Sequence, residues 1–486
     1  MNYSDFSFWW ILLIFSVPFF SVRALLKSGR LWPDVLDAVG LASLSLILFA
    51  NASFSSFFVF VSEIIFNYVL VQWMLRFEGR QARLIATVII VVNIAILAYF
   101  KYLTFFVEDV FGLFVGGVPP DWPKSFPLPV FKTIPPGVSF YTFQMVAFVV
   151  DSLTARKKKP INFLDYLNFV AFFPQIVAGP IERRISLFPQ IQKFRFKFTW
   201  ANFVQGFRWL SLGAFMKFVL GDNIAPFINV ELAANAWGVW FHAFLFTLRI
   251  YFDFAGYSFM ALGIAYFLGV KLTINFLAPY TSQSINEFWR RWHITLSTWF
   301  RDYVFVPLMG SRKQLAPFFL FLTFTLSGFW HGAAWNFILW GAYHGALLLA
   351  LRYLGRPFQK TFGGLGNRSQ TISWALTFGS VVLGCLFFMD TNITRLGVKL
   401  QTLLTPGSYS WSNFLGTFTA FSLNEGVALS VVLGLAALAL SLEFMAVWQK
   451  RFEYELLLSP WLSPCLLGLT VLLAANTPSQ FIYFEF

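Results

Sequence analysis

Charge is scarce in this chain: 12% of its 486 residues are charged, where a soluble protein carries about a quarter. That scarcity excludes a soluble globular domain. There are two cysteines, Cys385 and Cys465; they are too few for a disulfide framework, and both lie in apolar runs that suit buried small hydrophobes. Acidic residues number 22 against 35 lysines and arginines, a net charge of +13. No soluble basic segment is long enough to hold DNA or RNA, so the excess reads as positive-inside loops rather than nucleic-acid binding. The chain also has no Gly-x-x-x-x-Gly-Lys-Ser/Thr loop, no His-Glu-x-x-His, no Cys/His metal cluster and no Gly-x-Ser-x-Gly elbow. These absences argue against a nucleotide-driven pump, a zinc enzyme and a serine hydrolase. No internal repeat is visible, which counts against an inverted-repeat transporter.

What is abundant is apolar and aromatic: 58% and 21% of residues. The expected fold is an all-α integral membrane protein. A crossing needs about 20 mostly apolar residues. Candidate spans fall near 6–22, 35–52, 56–75, 83–100, 137–153, 201–221, 236–252, 253–270, 315–335, 336–351, 371–389, 426–447 and 460–476, giving about 11–13 crossings. The first apolar run, FSFWWILLIFSVPFF, has no positive charge before it and no small-residue cleavage site after it. It therefore reads as a retained helix rather than a signal peptide, with its N-terminus outside because Arg23, Lys27 and Arg30 follow.

Loop charge sets the topology. The stretches 76–83, 156–159, 183–197 and 352–368 and the Lys450–Arg451 turn are basic and read as cytoplasmic, whereas 101–136 and 390–425 read as the outer face. In the middle the alternation fails. The basic stretches on either side of 163–180 both belong inside, so that segment should dip in and return, as Pro174, Gly179 and Pro180 suggest. Likewise, two crossings over 236–270 put 280–313 on the wrong side unless one of them is re-entrant. A second short stretch, 296–309, also looks unable to cross. Irregular backbone at membrane depth survives only when buried in protein or lining a wet cavity, so the central third should enclose a cavity or tunnel.

The same region holds polar residues that an apolar bundle does not need. YFDFAGYS places Asp253 and Tyr257 on one helix face; an intramembrane carboxylate is either functional or held in a structural hydrogen bond. In SINEFWRRWHITLSTWFRDYVFVP, residues 284–307, helical spacing brings Arg290, His293, Ser297 and Arg301 within roughly 80° of one another, flanked by Glu287. Phe288, Trp292, Leu296 and Trp299 take the opposite face. Two readings are open: an interfacial helix, or a cationic wall for a phosphate-bearing ligand. In GFWHGAAWNFILWGAYHG, Thr323, Ser327, His331 and Trp335 recur at i, i+4 and should share a face. Gly328/Gly332 and Gly341/Gly345 are spaced for close helix approach. His331 is not needed for that packing. Desolvation favours a neutral imidazole, the form a general base requires. His344, one helix later, reads as structural.

FWRRWHITLSTWFRDYVFVPL followed by SGFWHGAAWNFILWGAYHG resembles the membrane-bound O-acyltransferase family, in particular its bacterial members that acetylate alginate and other exopolysaccharides. PPGVSFYTFQ at 135–144, FFPQIVAGPIERR at 172–184, YFDFAGYS at 251–258 and the closing PSQFIYFEF add to the likeness, which is densest over 135–350. On this resemblance, residues 1–130 are N-terminal membrane helices, 131–355 the catalytic core and 356–486 C-terminal helices. It implies His331 and His293 as the catalytic pair. It also implies acetyl-CoA as a cytoplasmic donor substrate, with no bound cofactor, docking its phosphates near Arg290, Arg291 and Arg301. Ser297, Asp302, Trp330, Trp335, Asp253 and Tyr257 become candidate binding residues. One departure is Phe259, which stands where such relatives carry an acid after Tyr-Ser. Implied partners are membrane lipid, a periplasmic acetyltransferase or carrier protein and a polysaccharide acceptor; the implied location is the bacterial inner membrane. Competing readings are D-alanyl transfer toward teichoic acid, a lipid or glycan transporter, and a scaffold for a secretion complex.

Overall fold

The computed structural model describes residues 3, 5–27, 33–119, 122–125, 134–155, 159–176, 179–232, 234–362, 367–475, 479 and 481–482. Arg30, the basic run 156–158 and most of the closing string lie outside the described residues. The described chain is helical, with no strand among those residues. The longer helices are α1 Phe6–Lys27, α2 Pro33–Ala52, α3 Phe54–Leu75, α4 Gly79–Thr104, α5 Val138–Thr154, α6 Phe163–Val170, α7 Trp200–Ala214 and α8 Ala236–Phe267. The short α9 Ile285–Arg291 and α10 Ile294–Phe300 follow. After them come α11 Ala316–His331, α12 Trp335–Phe362, α13 Asn367–Met389, α14 Ile393–Leu404, α15 Trp411–Thr419, α16 Leu423–Trp448 and α17 Leu462–Leu473.

The chain is a multi-pass membrane protein. Among the described residues eight helical stretches are long and apolar enough to cross a bilayer, and α5 and α17 are shorter apolar helices. The expectation of 11–13 crossings counted more, partly because it divided α8. The segments 236–252 and 253–270 are instead one continuous helix of 32 residues, about 48 Å long at 1.5 Å per residue. Gly256 does not break it but seats it. A Cβ there would lie 2.7 Å from the Lys217 amide nitrogen and 2.8 Å from the Gly213 carbonyl oxygen, so the backbones of α7 and α8 touch at this pair. A single passage through 236–267 also removes the conflict over which side holds 280–313. The expected loop at 352–368 is likewise helical as far as Phe362.

The fold forms two compact units, Met1–Gly206 with Ile264–Thr273, and Phe207–Gly263 with Ile274–Phe486. In the first, the segment expected to dip and return is α6, eight residues long, followed by buried irregular backbone. Side chains satisfy its carbonyls: Gln144 and Gln175 donate to the Phe169 oxygen at 2.7 and 3.1 Å, and the Tyr3 hydroxyl donates to Pro174 at 2.8 Å. Nearby, Asn67 and Asn93 exchange amide hydrogen bonds at 3.1 and 2.7 Å between α3 and α4. In the second unit, α11 and α12 form a tight helical hairpin. Cβ atoms on Gly328 and Gly341 would lie 2.2 Å from the Phe337 oxygen and 2.3 Å from the Phe324 oxygen, which is the close approach their spacing predicted.

Candidate active site

Helix α9 starts at Ser284, whose side chain accepts from the Glu287 amide at 3.2 Å. It stops after two turns. Trp292 is extended and His293 takes left-handed torsions, φ 41° and ψ 54°. The expected continuous amphipathic helix over 284–307 is therefore broken at its centre. An outside segment is the cause. The Asn275 carbonyl accepts from the Ile294 amide at 2.9 Å, and its side-chain oxygen accepts from the Thr295 amide at 3.2 Å and the Thr295 hydroxyl at 2.9 Å. Two residues on, the Leu277 amide donates to the Arg291 carbonyl at 2.9 Å. These bonds replace helical ones and fix the turn.

The break redirects His293. Its ring is fully buried, with Nδ1 3.1 Å from Asn275 Oδ1. Because the Thr295 amide can only donate to that same atom, the atom is an acceptor and His293 Nδ1 carries the proton. That bond fixes the tautomer and locks the ring orientation. His293 thus does not share a stripe with its neighbours. Arg290, Ser297 and Arg301 do come together, on the wall of a cavity of about 700 Å³ that Thr323, Ser327 and Arg352 also line. Arg301 is paired with Asp302 at 2.6 Å. Arg291 does not line this cavity: it bonds Glu287, Glu453 and the Leu277 carbonyl, each at 3.0 Å. Arg352, read from the sequence only as part of a basic loop, takes its place.

His331 is the last residue of α11, and Gly332 continues in extended backbone. The helical face therefore carries Thr323, Ser327 and His331 but not Trp335, which opens α12 after the reversal. The reversal is tight: the Phe337 ring comes within 2.1 Å of where a Gly332 Cβ would be. The His331 ring, 3% exposed, is boxed by Trp330, Trp340 and Phe388 at centroid distances of 5.0, 5.0 and 5.2 Å. It lies 6.5 Å from the His293 ring, with Trp330 6.2 Å from His293. The motif histidines thus converge from different segments. A second, small cavity of about 20 Å³ is lined by His331, Trp340, His344, Tyr280, Trp292 and Cys385, among others. Such a space takes about one water-sized group.

Trp289 relates the two cavities. It lines the larger one, and its ring lies 5.0 Å from His344 and 5.7 Å from Trp340, both on the wall of the smaller. Ser327, on the larger cavity, is one helical turn before His331, about 6 Å along the axis.

Asp253 is elsewhere. It is fully buried, 2.5 Å from the Lys217 ammonium, which also pairs with Asp222 at 2.7 Å. The Ile482 amide donates to Asp253 at 2.7 Å and the Ser479 hydroxyl to Asp222 at 2.6 Å. Tyr257 stacks near Phe481, with centroids 4.5 Å apart. Asp253 and Tyr257 line neither cavity, and the carboxylate belongs to an ion-pair cluster that anchors Ser479 and Ile482. Phe259 is buried against Trp209 and Tyr454, at 5.0 and 4.9 Å. The sequence reading passed over Lys217 and over Glu443, which accepts from the Tyr251 hydroxyl at 2.8 Å. Each is a charge inside an apolar run, the same signal that singled out Asp253. Of the two cysteines, Cys385 is buried as expected but Cys465 is exposed.

Comparison with known proteins agrees with the motif strings. A sequence model of MBOAT, the membrane-bound O-acyltransferase family, matches residues 1–389. The chain is 31% identical over 424 residues to a peptidoglycan O-acetyltransferase of Helicobacter pylori, covering 78% of each protein. It is 36% identical over 308 residues to a probable alginate O-acetylase of Pseudomonas putida, covering 62% of this chain and 61% of that one. A teichoic acid D-alanyltransferase of Bacillus subtilis is 32% identical over 267 residues, 52% of this chain and 68% of the relative.

Proposed function

The chain belongs to the membrane-bound O-acyltransferase family, and on that premise we propose that it moves an acetyl group from cytoplasmic acetyl-CoA through the bacterial inner membrane for O-acetylation of an exported polysaccharide. The observation that carries this reading is the position of His331: a buried imidazole one helical turn from Ser327 on an arginine-lined cavity of about 700 Å³. Arg290 and Arg352 on that cavity have no ion-pair partner among the described residues. Guanidinium groups suit phosphate oxygens, so the phosphates of the donor dock there and the thioester end points toward the Trp289 wall. His331 then accepts the proton of the acceptor hydroxyl, which attacks the acyl carbon, and the thiolate leaves with that proton. His293, its tautomer set by Asn275, buttresses the other side of Trp330.

The acceptor is a glycan hydroxyl, reached directly or through a periplasmic carrier or acetyltransferase. The O-acetylating relatives align over more of this chain than the D-alanyl relative does, which favours acetyl over D-alanyl. The test uses inner-membrane vesicles of a polysaccharide-exporting host and labelled acetyl-CoA. His331→Ala should lose about 100- to 10,000-fold in acetyl transfer, the worth of a positioned general base, while inserting at wild-type levels. Undiminished transfer by that variant would refute the assignment, and labelling only from a D-alanyl carrier would shift the donor.

A further inference from the structure

His344 reads from the sequence as a structural residue, yet its surroundings are wrong for one. It is 2% exposed and makes no hydrogen bond among the described residues; its Nδ1 is buried without a partner. What surrounds it is aromatic: Trp340 at 4.9 Å, Trp289 at 5.0 Å, Tyr343 at 5.3 Å and Phe288 at 6.4 Å between centroids. Leaving a buried polar group unsatisfied costs about 1–3 kcal/mol, and a phenyl ring would fill the same space without that cost. The neighbouring helix even gives up a side chain to admit the imidazole. A Cβ on Gly384 of α13 would lie 2.8 Å from His344 Nε2.

The imidazole shares the small cavity with His331. Trp340 bridges the two histidines, 5.0 Å from His331 and 4.9 Å from His344. Trp289, on the larger cavity, reaches His344 and not the His331 ring within the contacts observed. Both histidines of the small cavity therefore neighbour the larger one, His344 through Trp289 and His331 through the helical turn that begins at Ser327. The geometry points to His344 as a second catalytic residue, a neutral N–H donor to the carbonyl oxygen of the acyl group as it enters that space. This inference rests on the acyl-transfer reading above. The acceptor O–H bond breaks and its proton passes to His331, the new O–C bond forms at the acyl carbon, the C–S bond breaks, and the proton leaves on the thiol. His344 keeps its own proton throughout. Its hydrogen bond strengthens as negative charge gathers on the carbonyl oxygen, which is how such donors accelerate acyl transfer.

The test compares His344→Phe and His344→Gln with wild type in membranes, reading kcat, KM for acetyl-CoA and melting temperature, with His331→Ala alongside. His344→Phe should lose about 100- to 1,000-fold in kcat with little change in KM, and should melt at or above wild type, because it removes an unpaired polar group. His344→Gln, which keeps an N–H, should recover part of the rate. The proposal is overturned if His344→Phe keeps kcat within about threefold of wild type, or if both variants melt well below wild type and lose activity equally, which is the signature of a packing residue. A fully active His331→Ala would instead sink the functional reading beneath it. In that case the melting comparison still decides whether His344 is held for packing.

Discussion

Asn275→Leu should unmake the turn at His293 that separates α9 from α10. The Asn275 side-chain oxygen accepts from His293 Nδ1 at 3.1 Å, the Thr295 amide at 3.2 Å and the Thr295 hydroxyl at 2.9 Å. Leucine nearly matches the volume and accepts nothing. The two N–H groups lose this acceptor in a dry interior, at about 1–3 kcal/mol each, so the loss is about 2–6 kcal/mol. The left-handed backbone at His293 then keeps the backbone bonds of Ile294 to Asn275 and of Leu277 to Arg291 but loses the side-chain acceptor, and such torsions cost about 1–3 kcal/mol when nothing enforces them. Relaxation toward a continuous helix would turn His293 outward, onto the face with Arg290 and Ser297. Asn275→Asp keeps an acceptor at the same place and should retain the turn. The assay is denaturant unfolding in detergent followed by tryptophan emission, paired with acetyl transfer at a temperature where both variants remain folded. Loss of less than about 1 kcal/mol by Asn275→Leu, with transfer intact, would mean that Asn275 does not enforce the turn, since ordinary neutral substitutions fall in that range.

The arginines should divide by role. Arg290→Ala should raise KM for acetyl-CoA with small effect on stability, whereas Arg291→Ala, which loses bonds to Glu287, Glu453 and Leu277, should lower stability with KM unchanged; titrating donor against each variant checks both. Lys217→Met strands two buried carboxylates and should cost about 3–5 kcal/mol, read as a lower melting temperature. Asp253→Asn should cost less because Asp222 still pairs with the lysine.

The sequence showed the motif strings plainly, and with them the helical class; that the rings of His331 and His293 lie 6.5 Å apart came only from the structure. The break at His293 was hidden because Arg290, His293, Ser297 and Arg301 stay in helical phase and no glycine or proline interrupts them. Helical periodicity reports what one chain segment prefers, and here Asn275, 18 residues upstream, overrides it. The face drawn through Trp335 failed for a related reason: i, i+4 spacing runs unbroken across a reversal at Gly332. That same reversal brings Trp340 and His344 back beside His331, a neighbourhood that spacing alone does not announce. Lys217 and Glu443 were legible in principle, as charges in apolar runs. Asp222 is only five residues from Lys217, but Asp253 and Tyr251 lie too far along the chain to be paired by eye.

The narrowness of the space beside His331 has a further consequence. Phe288, Trp292, Trp340 and Phe388 line much of that pocket, so on the acyl-transfer reading proposed above little room is left for solvent beside the reacting groups. A thioester held there, as proposed, would be shielded from the most abundant rival nucleophile in the cell. On that proposal, fidelity toward the intended alcohol would follow from crowding by aromatic rings rather than from any feature that recognises water, and replacing those rings with smaller side chains should raise wasteful hydrolysis of the donor.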